Sequence, residues 1–159
     1  MPEQERTPNL QWNWHKGDIL LREAITEAGL KLGNPRNNEG WQCYITNAVK
    51  QPDRVKERNS KKKDQSYWQD EAKAWRHVLQ IQIDNGSPKV LVALGKEVYK
   101  ILEFMIADGL KAPHDLQKVD HYSYVMFRPE ARTHRGPGNR ERIAEFKQNI
   151  ISVAKQYCS

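Results

Sequence analysis

Apolar residues return every three or four positions in four stretches of the chain, and gather into short aromatic or β-branched blocks in three others. Between Gly17 and Leu32 they fall at Ile19, Leu20, Ala24, Ile25, Ala28 and Leu32. That is the stripe of an amphipathic helix, and Gly33, Asn34 and Pro35 read as its stop. A polar connector through Gly40 leads to the block Trp41–Thr46, which predicts a strand. From Lys50 to Gln65 there is no apolar period, and the segment reads as a surface loop. A second helix is predicted from about Ser66 to Asp84, with Trp68, Ala72, Trp75, Leu79 and Ile83 on one face. After the turn Asn85–Pro88 comes the block Lys89–Leu94, apolar enough for a strand covered on both faces. Gly95 opens a third helix with Val98, Ile101, Leu102, Met105 and Ile106, and Gly109 closes it. A third strand is expected at Tyr122–Phe127, then a loop from Arg128 to Asn139. A last helix runs from Arg140 to Tyr157 with Ile143, Phe146, Ile150, Ile151 and Val153.

Helices and strands that alternate in this way predict an α/β protein: a three-layer α/β/α sandwich on a short, mostly parallel sheet. The length of 159 residues suits a single domain over 1–159. Domains of this class usually open with a strand, and none is patterned ahead of Gly17, so the first strand reads as missing.

Charge adds a lean toward polyanions. Lys and Arg number 26 against 20 Asp and Glu, a formal net charge of +6. No apolar run approaches the roughly 20 residues of a membrane helix, and the N-terminus lacks the apolar core of a signal peptide. A cytoplasmic setting and no membrane partner are the expectation. The two cysteines, Cys43 and Cys158, have neither metal-site nor disulfide-framework spacing.

Several motifs together resemble the uracil-DNA glycosylase superfamily, most closely the iron–sulfur-containing bacterial and archaeal family 4. They are YITNAVK at Tyr44–Lys50, PKVLVALG at Pro88–Gly95, and the helix GDILLREAITEAGL from Gly17. The family pairs YITNVVK-like and PKVIVALG-like segments in this order and at this spacing. Its pattern ahead of Gly17, laid on without gaps, puts Glu5 on the glutamate of an ED pair and Trp12 on a phenylalanine. It also sets the motif that carries the water-activating acid upstream of Met1.

The resemblance implies hydrolytic excision of uracil from DNA, with DNA as the partner and a monomer as the working state. Four tasks follow from that chemistry: holding a flipped base, reading its edge, assisting water with a carboxylate, and donating to the departing base. Asn47 matches the asparagine that reads the pyrimidine edge; otherwise it is a turn-capping asparagine. Trp12 matches the stacking aromatic; otherwise it plugs a core. Glu5 is the nearest carboxylate to the absent acid. Arg128, ahead of Pro129, stands where the pattern YHP has its histidine, a permanent cation in place of a neutral donor. His134 lies in the same loop, either as a substitute donor or as a solvent-exposed side chain. Arg132 and Arg135 in that loop, and Lys50 in the basic segment, are expected to meet phosphates, although a lysine run is more often just a solvated face. Gly95, between strand and helix, offers an anion site.

The iron–sulfur ligands are replaced by Gln51 and by Ala74 or a neighbour, so no cofactor is expected. The absent acid and the altered donor together predict weak excision. Two readings stay open: a uracil-DNA glycosylase, or a non-catalytic nucleic-acid-binding or protein-interaction module on the same fold.

Overall fold

The computed structural model describes residues 16–48, 65–113, 116–127 and 137–158. Its elements in chain order are α1 (Lys16–Glu27), α2 (Gln65–Gly86), β1 (Val92–Leu94), α3 (Lys96–Ala107), β2 (Gln117–Val119), α4 (Tyr122–Phe127) and α5 (Pro137–Cys158). β1 and β2 pair in parallel, and the Gln117 N–H donates to the Leu91 carbonyl at 3.1 Å. The class is therefore α/β with a short parallel sheet, as the alternation implies.

The residues divide into two compact units, Met1–Cys43 with Val119–Ser159, and Tyr44–Lys118. In the first, α1, α4 and α5 pack against one another. The predicted stripe of α1 supplies Leu20, Ala24 and Ile25 to the core, and Leu21 beside it is buried as well; they join Val125, Phe146, Ile150 and Ala154, all buried. Lys147 of α5 reaches back to Glu27 at 2.9 Å and Glu23 at 3.5 Å. α1 stops well before Leu32. Gly29 takes a left-handed conformation (φ 77°), the Leu30 N–H bonds the Ile25 carbonyl and the Gly29 N–H bonds the Thr26 carbonyl, each at 3.0 Å. That pair of bonds is the Schellman closure, and it needs a glycine where it turns.

Beyond it, residues 31–41 form a loop built around two buried cations. Its stem is closed by Leu32 N–H to Gly40 O and Gln42 N–H to Leu30 O, both 2.8 Å. Inside, the Lys31 ammonium donates to Asn34 O at 2.7 Å and Asn37 Oδ1 at 2.8 Å, while Arg22 Nη1 donates to Pro35 O and Asn37 O, each at 3.1 Å. Carbonyls turned away from water need such donors. Both cations also lie against the Trp41 ring, Arg22 at 5.3 Å and Lys31 at 5.5 Å from its centroid.

The second unit packs α2 on α3. Trp68, Ala72, Leu79 and Ile83 of α2 meet Ile101, Leu102 and Met105 of α3, with Ala93 of β1 and Leu110. α3 ends in a second Schellman closure at Gly109 (φ 103°): Leu110 N–H to Met105 O at 2.8 Å and Gly109 N–H to Ile106 O at 3.1 Å. Gln80 of α2 holds the chain beyond that turn, accepting from Lys111 N at 2.8 Å and donating to Lys111 O at 3.3 Å.

Three expectations are corrected. Trp41–Thr46 is not a strand; Trp41 alone makes an antiparallel bridge, with Lys31. The alternation is retained, with Gln42, Tyr44 and Thr46 exposed between half-buried Cys43 and Ile45, but among the described residues no neighbouring strand completes a ladder for 42–46. The strand of Lys89–Leu94 is shortened to Val92–Leu94. Tyr122–Phe127 is helix, not strand; Val125 N–H bonds the His121 carbonyl at 3.1 Å, a helical spacing. The second strand is the polar Gln117–Val119, ahead of the aromatic block. The last helix also begins earlier than Arg140, at Pro137, since a first helical position has no use for the N–H that proline lacks.

Candidate active site

Asn47 lies in the second unit, in an exposed connection between two anchored neighbours. Gln82 Nε2 of α2 donates to Tyr44 Oη at 3.3 Å and to Thr46 Oγ1 at 3.4 Å, and Ala48 packs on the unit's core. Asn47 is thus an exposed residue on a segment tied on both sides. It is not carried on a strand end.

Gly95 is in the same unit, between β1 and α3, at φ 100° and ψ 157°. That conformation is essentially closed to side-chain-bearing residues, so the glycine follows from the backbone path. No side chain caps α3, and its first turn carries Glu97. A carboxylate there already meets the positive end of the helix and competes with an incoming anion.

Glu5, Trp12, Lys50, Arg128, Pro129, Arg132, His134 and Arg135 lie outside the described residues. The match of Arg128 to the motif histidine rests on Pro129 after it, and neither residue is among the described ones; the stretch Tyr122–Phe127 ahead of them is helix and not strand. The extended segment ends instead at Val119, and the first histidine after it is His121. Sequence reasoning missed this residue. The signal was present: His121 is followed by Tyr122 where the motif has proline, and the match had been anchored on the proline of Arg128–Pro129.

His121 is half-buried between β2 and α4. Its ring stacks on Tyr122, with centroids 4.2 Å apart and planes at 28°. The Tyr122 hydroxyl is hydrogen-bonded to Asp18 in the first turn of α1. Burial, and then the charge and hydrogen bond of Asp18, push the phenol up to about 12. One turn further along α1, burial holds the Arg22 guanidinium below its ordinary value, against the pull of Asp18. An imidazole in this setting can donate a ring N–H to an oxygen on which negative charge develops.

Among the described residues no three His, Cys, Asp or Glu side chains gather into a metal site. The chain's two cysteines do not fit a cluster that needs four thiolates. Burial, and then Cys158, push the Cys43 thiol up to about 11, the wrong direction for a thiolate ligand.

No curated protein and no solved structure gave a match to the chain. A family model did, described as Uracil DNA glycosylase superfamily, over residues 4–149.

Proposed function

Because the chain belongs to the uracil DNA glycosylase superfamily, we propose that it binds DNA and hydrolyses the bond between uracil and deoxyribose. The observation that supports this reading best is His121 at the end of β2, on the short connection before α4.

In the proposed reaction a flipped uridine is bound and water attacks C1′ of its sugar. The C1′–N1 bond breaks, and its electron pair leaves with the base. His121 donates a hydrogen bond to the uracil oxygen that shares this charge, and a carboxylate takes the water's proton. Asn47 reads the pyrimidine edge with one donor and one acceptor. Trp12 stacks on the ring, Glu5 is the carboxylate to be tested first, and Arg132 and Arg135 contact phosphates. Weak excision is the expectation if Arg128 stands for the histidine; with His121 as donor, the excision rate reports on the acid.

The test is uracil release from single-stranded and U·G duplex oligonucleotides. The native chain should release uracil, and His121→Ala should lower the rate by about 10² to 10³-fold, the usual cost of one lost donor to a developing anion. Asn47→Ala should abolish the preference for a uracil-containing strand. Unchanged release by His121→Ala would remove His121 from the chemistry. Uracil-selective binding without any release would favour the non-catalytic module.

A further inference from the structure

Consecutive residues at the start of a helix do not normally face one another, yet the rings of His121 and Tyr122 are stacked 4.2 Å apart. α4 is six residues long and cannot impose this alone. A restraint comes from α1, which packs against α4. The Asp18 carboxylate accepts a hydrogen bond from the Tyr122 hydroxyl. Arg22, one turn along, supplies a counter-charge to Asp18, and is itself fixed by the carbonyls of Pro35 and Asn37 and by the Trp41 ring.

We infer that Asp18 and Tyr122 are positioning residues for His121. The phenol is clamped at its hydroxyl by Asp18 and presents its face to the imidazole, which sets the plane of the ring and the direction of its N–H. This rests on the proposed role of His121 in excision. It adds a specific dependence: the alignment of the donor is governed from the first turn of α1.

Removing either end of the clamp breaks the same hydrogen bond. The experiment is a double-mutant cycle on the full chain with Tyr122→Phe and Asp18→Ala, read by uracil release and by the His121 ring proton resonances. Native His121 protons should be shifted upfield by the stacked phenol. Each single variant should partly average that shift and lower kcat on the order of tenfold with KM unchanged, and the double variant should match either single. Tyr122→Leu removes the stacking face and should abolish the ring-current shift, whereas Tyr122→Phe retains part of it. Additive losses in the cycle, or His121 resonances indifferent to Tyr122→Leu, would overturn the inference. Should the native chain release no uracil, the excision reading fails by itself, while the His121 resonances still decide whether the clamp holds the ring. Tyr122→Phe and Asp18→Ala remain readable if Tyr122→Leu does not fold.

Discussion

Lys31 shows what a single residue can organise. Its side chain is 1% exposed, and its ammonium donates to the Asn34 carbonyl and to Asn37 Oδ1. Lys31→Ala would take this donor from the Asn34 carbonyl and leave Asn37 Oδ1 with the Glu39 N–H at 3.2 Å, so a loss of about 2–3 kcal/mol is expected, read as a shift of the denaturation midpoint at constant m-value. The two cysteines should separate by reactivity. Cys158 is exposed, whereas the Cys43 thiol is pushed up to about 11 by burial first and Cys158 second. At pH 8 iodoacetamide should modify Cys158 at least about tenfold faster, since the thiolate is the nucleophile; mass mapping of a time course decides this. Tyr122 gives a pH dependence. Its neutral form is favoured in the fold, which raises the phenol from 10.0 to about 12. The native state therefore holds a proton that the unfolded chain releases first. The contribution is complete below about pH 10 and is lost as pH rises through about 12. Urea titrations should show stability falling over that window, and falling less in Tyr122→Phe.

Helix ends were among the most legible elements, where glycine and backbone geometry coincide. Gly109 was legible as the stop of α3, and the structure puts it at φ 103° in a Schellman closure. A Cβ there would meet only Arg76 Nη1, at 3.9 Å. Gly109→Ala should thus cost about 1–2 kcal/mol through backbone conformation and not through crowding, and Gly109→Asn, which tolerates that region better, should cost less. Helix α1 was read too long because Leu32 continues the apolar stripe; Leu32 is in fact 59% exposed, and the chain has already turned at Gly29. The errors at Trp41–Thr46 and Tyr122–Phe127 share one cause. Aromatic and β-branched residues read as strand by local preference, but a strand exists only where a partner backbone completes it. The polar segment Gln117–Val119 has that partner in β1, and the apolar blocks do not among the described residues. The contact between Asp18 and Tyr122 was not legible at all, since 104 positions separate the two residues and only the packing of α1 on α4 joins them.

At the scale of the molecule, the net charge of +6 and the arginines of the 128–142 segment set an expectation for DNA. Affinity should fall steeply with salt, and Arg132→Ala and Arg135→Ala should each lower the magnitude of the log–log slope by about 0.9 on duplex DNA. Asn47→Ala should leave the slope unchanged, since phosphate contacts position while base contacts specify. A slope that flattens only when Lys61, Lys62 and Lys63 are replaced would move the contact surface to the other basic segment.

The chain leaves its first unit at Cys43 and returns to it at Val119. This has a consequence for biosynthesis. Tyr44–Lys118 is a continuous stretch and can complete its core while the rest is still being made. Helix α1 emerges early, but Val125, Phe146 and Ile150, which cover it, are translated about a hundred residues later. At ribosomal speeds of roughly 5–20 residues per second, the apolar face of Leu20, Leu21 and Ile25 waits several seconds for its cover. The nascent chain thus carries a sticky helix ahead of a finished unit, and its yield in the cell should depend on whatever shields that helix until α5 arrives.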